Sequence, residues 1–273
     1  MLSTCSDILP VIVIYRTPLR EAQAYRTLLA ADAFRRYVVY DNSPADYEQP
    51  ALPPEAVYLR DTTNGGLSKA YNAAARYAAE QGYRRLLLLD QDTRFPAEAA
   101  EAYGRGDRSV ALWVPSVKTL AGAAMSPGYE VWGGVHATTL APLRYLLKDY
   151  VVINSGMCVD LDAFRRAGGY NEAVRLDFAD YQFVGRLRRV ADLFQVLDFV
   201  ALQDFSNEMT AVAPLLTRYR LYLESAAGCV FATRRRRLSH RLEVLKHTLR
   251  LTLRTGRPDF LAAYLRDGCR RSV

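Results

Sequence analysis

A chain of 273 residues that is 50% hydrophobic and 24% charged has ordinary globular composition, which excludes a disordered segment, a collagen-like repeat and a disulfide-stapled mini-fold. Its longest apolar stretches, Ile8 to Tyr15 and Leu86 to Leu89, fall far short of the roughly 20 residues that span a bilayer, and no basic residue precedes Ile8, so we expect a cytoplasmic protein. The net charge of +7 is uneven: residues 214–273 carry fourteen basic side chains against four acidic ones, a net +10, which leaves −3 on the rest.

From the N-terminus, Pro10 to Tyr15 reads as a buried strand, and Thr17 with Pro18 supplies an N-cap and first-turn proline for a helix running to about Arg35. Strands are predicted at Tyr37 to Tyr40, Ala56 to Leu59 and Arg85 to Leu89. Between the last two, the alanine-rich stretch from Gly66 to Glu80 predicts a helix stopped by Gly82. Val110 to Val114 and Val151 to Asp160 read as strands separated by an irregular stretch from Leu120 to Gly134; helices follow near Leu161 to Ala167 and Phe178 to Val190. This alternation predicts an α/β fold with a mostly parallel central sheet over residues 1–213. Beyond it lies a basic helical extension, 214–273, in which Leu238, Leu242, Leu245, Leu249 and Leu253 form one apolar stripe flanked by arginines. Cys5, Cys158, Cys229 and Cys269 form no C-x-x-C pair, and reduced thiols are expected.

The sharpest local signal is the run Leu86 to Leu89 followed by Asp90, Gln91, Asp92 and Thr93, which sets two carboxylates just past the C-terminal end of a strand, where open α/β sheets bind ligands. If the segment stays extended, Asp90 and Asp92 point the same way and can face Mg²⁺ or Mn²⁺; the alternative is a loop that caps the next helix. Asn64, Gly65 and Gly66 open a helix that continues through Ser68, Lys69 and Asn72. The glycines either let a backbone approach an anionic ligand or fit a tight loop against the sheet. Asp41 either accepts hydrogen bonds from a nucleoside or makes an Asx turn. Asp177 and Asp180, three residues apart, either cap a helix or supply a general base.

Taken in order, these segments resemble glycosyltransferase family 2, the nucleotide-diphospho-sugar transferases of the GT-A fold, and in particular their bacterial rhamnosyltransferase-like branch. The resemblance spans about residues 8 to 225. It rests on the strand ending at Tyr15, V-V-Y-D-N-S, N-x-G-G-L-S-K-A-Y-N, the strand ending in D-Q-D-T, Asn154-Ser155-Gly156, and L-D-F-A-D before an arginine-bearing helix. It implies that Tyr15, Asp41 and Asn64 hold the nucleoside end of the donor, with Gly65, Gly66, Lys69, Asn72 and Gln91 on the donor side. It further implies that Asp92, with Asp90 beside it, engages the metal and diphosphate, that Asp180 or Asp177 is the base, with Asp180 favoured, and that Asn154, Ser155 and Gly156 line the acceptor side. One departure stands out. Relatives carry an H-D-F-S stretch whose histidine completes the metal site, and here that position is Gln203, a weaker ligand, with Asp204 as the substitute.

The implied activity is inverting transfer of a sugar from deoxythymidine diphosphate rhamnose or a uridine diphosphate sugar to a glycan or lipid-linked acceptor, in bacterial cell-surface polysaccharide synthesis. The basic extension is expected either to dock on the anionic inner face of the plasma membrane or to pack on the catalytic domain or a second copy in a homodimer. Two other readings, a nucleic-acid-binding protein exploiting the basic tail and a non-catalytic nucleotide-sugar-binding protein, leave the placement of D-Q-D unexplained; no recognition motif accompanies the first.

Overall fold

The computed structural model describes residues 5–31, 33–203 and 212–268. Strand β1 (Ile8–Ile14) is buried along its whole length, and its alternate side chains serve two cores: Leu9, Val11 and Val13 face one, Ile8, Ile12 and Ile14 the other. A strand covered on both faces is written as an unbroken apolar run. The continuous helix expected up to Arg35 is absent; a short α1 (Gln23–Thr27) between single 3₁₀ turns takes its place. Thr17 Oγ1 donates to the Tyr15 carbonyl instead of capping, and Ala22 is extended. The Gln23 N–H donates to the Gln91 carbonyl at 2.7 Å, and the Phe95 N–H to Thr27 Oγ1 at 3.0 Å. These long-range bonds pin the segment to the turn that carries Asp92 and override helical propensity.

Strands β2 (Tyr37–Asp41) and β3 (Ala56–Arg60), helix α2 (Gly66–Glu80) and strand β4 (Arg85–Asp90) stand where the sequence places them. Next come β5 (Thr93–Arg94), α3 (Ala99–Gly104) and β6 (Leu112–Thr119). The stretch read as irregular contains β7 (Ala124–Ser126) and β8 (Gly128–Val131), the latter in a hairpin with β9 (Gly134–Ala137). After β10 (Arg144–Leu146), the long strand expected from Val151 shrinks to a single bridge at Val151 and β11 (Cys158–Asp160). Between them the Met157 N–H folds back onto the Asn154 carbonyl at 2.9 Å around Gly156, whose φ of +79° is left-handed, so the chain turns instead of extending. Helices α4 (Leu161–Arg166) and α5 (Ala179–Leu187) are followed by β12 (Leu193–Gln203), an eleven-residue strand that the motif reading passed over.

The main sheet runs β10-β12-β6-β11-β4-β1-β2-β3, with β5 added to β12 and β7 to β6. The β3-β2-β1-β4 half is parallel, β6 and β12 are parallel to each other, and β11 lies antiparallel between the halves. This is the mostly parallel α/β architecture expected. Helices α6 (Val212–Ala227), α7 (Arg234–Thr255) and α8 (Asp259–Ala263) close one face: Tyr219, Leu223, Val244, Leu251 and Phe260 belong to the same core as α2, α4 and α5. On α7 the buried face is Val244, Thr248 and Leu251, and not the leucine stripe. Each residue turns a helix by about 100°, so a stripe through Leu245 and Leu249 falls to one side of that face. Leu249 is 43% exposed, Leu238 53% and Leu253 82%.

Candidate active site

Side-chain alternation along β4 sends Leu86 and Leu88 toward the α2 core, and Asp90 follows them. There Asp90 accepts a hydrogen bond from the Tyr71 hydroxyl of α2 at 3.1 Å, while Ser155 Oγ lies 2.6 Å from its other oxygen. Asp92 is not reached by extended alternation, because Gln91 and Asp92 form the turn between β4 and β5. The two carboxylates are related instead through Gln203. Its Nε2 donates to Asp92 Oδ1 at 2.9 Å, while its Oε1 accepts from the Thr93 hydroxyl at 3.1 Å and lies 2.6 Å from Ser155 Oγ. The β5–β12 pairing of Thr93 with Gln203 sets this contact. Ser155 has one proton for two acceptors, so both its short contacts become hydrogen bonds when Asp90 carries a proton; burial does raise the Asp90 carboxyl, against the bonds from Ser155 and Tyr71.

At position 203 the amide therefore offers an N–H to Asp92, which no metal accepts as a ligand, and Gln203 is a bridge. Asp204 lies outside the described residues. Among the described residues no cluster of three or more Asp, Glu, His or Cys forms a closed cage. The donor set at the β4 terminus, two carboxylates with hydroxyl neighbours, fits a hard cation that takes its remaining oxygens from water and phosphate, as Mg²⁺ commonly does.

At the ends of β1 and β2, Gln91 Oε1 accepts from the Tyr15 N–H at 2.9 Å, and Tyr15 itself is 44% exposed. Asp41, fully buried at the end of β2, makes the Asx turn to the Ser43 N–H at 2.8 Å and accepts from the Tyr58 hydroxyl at 2.8 Å. Ser43 Oγ in turn accepts from the Arg16 N–H at 2.7 Å. Next to this turn, Asn42 Oδ1, the Tyr47 hydroxyl and the Gln49 amide are buried without a hydrogen-bond partner, a concentration of unmet polar capacity that native interiors avoid.

The glycine loop serves packing first. A Cβ on Gly66, at φ +88°, would lie 2.3 Å from the Arg175 carbonyl, to which the Leu67 N–H donates at 2.7 Å. Asn64, at φ +52°, gives its carbonyl to the Arg175 guanidinium. The Gly65 N–H donates to Asp61 Oδ2 at 3.2 Å, and Lys69 Nζ lies 2.7 Å from the same oxygen. Asp61 also takes the Thr63 N–H and hydroxyl, and these partners hold its carboxyl well below the usual range despite burial. Lys69 is therefore paired within the protein, and the tight-loop alternative accounts for Gly65 and Gly66. Asn72 is likewise committed: its side chain exchanges hydrogen bonds with the Tyr170 backbone (3.0 and 2.8 Å) and donates to Glu172 at 2.9 Å.

In the turn before β11, Asn154 Oδ1 accepts from the Tyr170 hydroxyl at 2.6 Å, and the Gly156 carbonyl accepts from the Tyr103 hydroxyl at 2.7 Å. Asp177 and Asp180 are parted by Phe178, whose φ of +67° is rare outside glycine. The turn sends Asp177 to Arg218 of α6 in a two-pronged pair at 2.6 and 2.8 Å. It leaves Asp180 in the first turn of α5, where burial, helped by the nearby charges of Asp90 and Asp177, pushes its carboxyl up to about 7 against the bond from the Tyr181 N–H. Four contributors escaped the motif reading: Tyr71, Asp61, Tyr170 and Arg218. Tyr71 lies inside the quoted glycine-loop motif without a role having been read for it, and Asp61, just past the end of β3, was findable as a polar group at the end of an apolar element; Arg218 meets Asp177 across 41 residues and leaves no local signal.

No protein-family model and no curated protein sequence matches the chain. Solved structures match it in fold. GalNAc-T7, solved with UDP, GalNAc and Mn²⁺, superposes with a TM-score of 0.56 at 12% identity over 78% of this chain. This chain spans only about half of that one, 48%. S. aureus TarS 1–349 in complex with UDP-GlcNAc gives 0.51 at 14% identity, covering 94% of this chain and 79% of that one. S. aureus TarS 1–349 alone gives 0.50 at 12% identity, covering 92% of each chain. The architecture is thus the GT-A glycosyltransferase fold.

Proposed function

We propose that the chain is an inverting, metal-dependent glycosyltransferase of family 2, of the rhamnosyltransferase-like branch, which moves a sugar from a nucleoside diphosphate donor to a hydroxyl of a glycan or lipid-linked saccharide in building a cell-surface polysaccharide. The observation that carries this reading is the carboxylate group at the C-terminal edge of the sheet. Asp90 and Asp92 are related through Ser155 and Gln203, and burial, helped by the charge of Asp90, pushes the Asp180 carboxyl up to about 7. An aspartate titrating near the working pH is suited to take a proton and later release it.

In the proposed reaction the acceptor hydroxyl oxygen attacks the anomeric carbon from the face opposite the diphosphate. The carbon–oxygen bond to the diphosphate breaks, its electron pair leaves with the nucleoside diphosphate, and the hydroxyl proton passes to the Asp180 carboxylate. Asp177, neutralised by Arg218, positions the start of α5. Asp92, with Asp90, would hold Mg²⁺ or Mn²⁺, whose charge stabilises the departing diphosphate. The unpartnered polar atoms of Asn42, Tyr47 and Gln49 beside Asp41 suit the edge of a nucleobase, and exposed Tyr15 offers it a ring. The donor is deoxythymidine diphosphate rhamnose or a uridine diphosphate sugar.

A thermal-shift panel of these nucleotide sugars, each with and without Mn²⁺, tests the reading. A ligand at a hundred times its Kd stabilises by about 2.7 kcal/mol, so the true donor should raise Tm by roughly 5 °C or more with the metal present. No shift with any of them would defeat it. The same reading sets the chain on the anionic inner face of the membrane through α7, where Arg234 to Arg237 are exposed beside Leu238. Among the described residues no helix is long and apolar enough to cross a bilayer.

A further inference from the structure

The backbone passes through Phe178 at φ +67° and ψ −2°, a left-handed conformation that a bulky residue keeps only where its surroundings over-determine it. Those surroundings come from the C-terminal helices. On one side Arg218 of α6 holds Asp177. On the other, the buried Phe178 ring is wedged between Tyr222 of α6, with ring centroids 5.0 Å apart, and His240 of α7, which meets it edge-on at 4.6 Å.

His240 is itself fixed in place. Its Nε2 donates to the Ala226 carbonyl at 3.2 Å, and the Phe231 ring packs on it with centroids 4.8 Å apart. Burial holds the imidazole below its ordinary value against that hydrogen bond, so the ring is neutral at pH 7 and sits among aromatic rings without a counter-charge. Asp180 stands two residues beyond Phe178, and the Gln182 N–H donates to the Phe178 carbonyl at 2.9 Å, so the first bond of α5 starts from the strained residue. A return of residue 178 to negative φ would rotate the peptide planes that follow and carry the Asp180 carboxyl out of its buried place. Filling the slot between Tyr222 and His240 opposes that return, because a dihedral change at residue 178 takes the ring with it.

We propose that His240 is a positioning residue for Asp180: through the Phe178 ring it holds the left-handed turn that aims the carboxylate at the acceptor hydroxyl. The proposal rests on the glycosyltransferase reading above, in which Asp180 takes the acceptor's proton. The ionisable groups whose charge couples to Asp180 are Asp90, Asp177, Tyr71, Tyr170, Tyr181 and Cys229. Burial keeps the three tyrosines and the thiol protonated, which leaves the two aspartates as the charges that count, and the variants at position 240 alter neither.

Three variants of the full chain separate the ring from its hydrogen bond. His240→Phe keeps a ring, His240→Gln keeps an N–H for the Ala226 carbonyl, and His240→Ala keeps neither. The rate of transfer is measured against pH with the donor picked out by thermal shift, and amide hydrogen exchange at Gln182 gives a readout that needs no activity. His240→Gln and His240→Ala should each lower kcat about tenfold or more and leave the affinity for UDP or dTDP with Mn²⁺ within about twofold of wild type. They should also move the kcat/KM inflection from about 7 toward the ordinary carboxylate range, as a base released to water requires, and speed exchange at Gln182. His240→Phe should match wild type in all four. A mere loss of folded protein lowers the rate at every pH and leaves the inflection where it was. Phe178→Leu withdraws the ring from the other side of the contact and makes the same test where a variant at position 240 does not fold. Wild-type kcat and inflection in His240→Ala, a His240→Phe enzyme as impaired as His240→Ala, or unchanged exchange at Gln182 would overturn the proposal. A wild-type chain that binds neither nucleotide with Mn²⁺ and transfers no sugar removes the enzyme reading instead, while the exchange result still shows whether His240 holds the turn.

Discussion

Asn in place of Asp180 preserves the size of the side chain and an oxygen for the Tyr181 N–H, but it cannot accept a proton. In the folded protein burial holds the Asp180 carboxyl up at about 7, from an ordinary value of 3.8. A base with that value is about 9% ionised at pH 6 and about 91% at pH 8, so kcat/KM should rise about tenfold across that interval and level off above it. Asp180→Asn should lower kcat/KM by about 10² to 10⁴, the usual worth of a general base, and abolish the inflection. Asp177→Asn should shift the inflection to lower pH, because it removes a like charge and leaves the Arg218 cation uncompensated. The assay is the initial rate of transfer from the donor picked out by thermal shift, measured from about pH 5.5 to 9. Stability gives a second readout with its own sign. The unfolded carboxyl ionises near 3.8 and the folded one near 7, so rising pH through that window destabilises the protein. Asp180→Asn should therefore raise Tm at about pH 8 and change it less at about pH 4. A flat wild-type profile, or an Asp180→Asn enzyme that keeps both the inflection and its rate, would refute the assignment.

Asp92→Ala should abolish transfer and the Mn²⁺-dependent thermal shift while leaving the circular dichroism spectrum unchanged; turnover at the wild-type rate would remove the metal role. Gly66→Ala sets a methyl group 2.3 Å from the Arg175 carbonyl at φ +88°, and denaturant unfolding should show a loss of about 1–3 kcal/mol. Neutralising Arg234 to Arg237 with glutamine should weaken co-sedimentation with phosphatidylglycerol vesicles at least tenfold, and added salt should mimic the change; binding insensitive to both would place the exposed leucines of α7 against protein instead.

The parts of the fold that the sequence displays openly are those governed by one local rule. β1, β2 and β4 are covered on both faces and so are continuous apolar runs, and α2 is a helix-forming stretch ended by Gly82. Elements whose geometry is imposed from elsewhere are not displayed. The segment after Thr17 looks helical, yet its hydrogen bonds go to Gln91 and Phe95. The carboxylate pair was legible as D-Q-D, but the link through Gln203 depends on strand pairing across 111 residues. The motif around Gly65 and Gly66 marks a close approach; that its neighbour is the Arg175 backbone becomes visible only when the loop before α5 has been laid against α2. The leucine stripe of α7 was correctly periodic, but which of its two readings holds was not legible, since periodicity gives the spacing of a stripe and not the partner that covers it; the core takes Val244, Thr248 and Leu251 and leaves Leu238, Leu249 and Leu253 exposed.

The bonds that α6 and the turn after it make with the 171–177 loop have a practical bearing on how chimeras of this chain are built. Arg218 grips Asp177, Ser225 Oγ receives the Leu176 N–H, and the Gly228 carbonyl receives the Asn171 amide. Grafting a foreign C-terminal cassette at residue 213 would therefore recast the loop that leads into Asp180, and chimeras should be joined so that these three fasteners travel with the loop they secure.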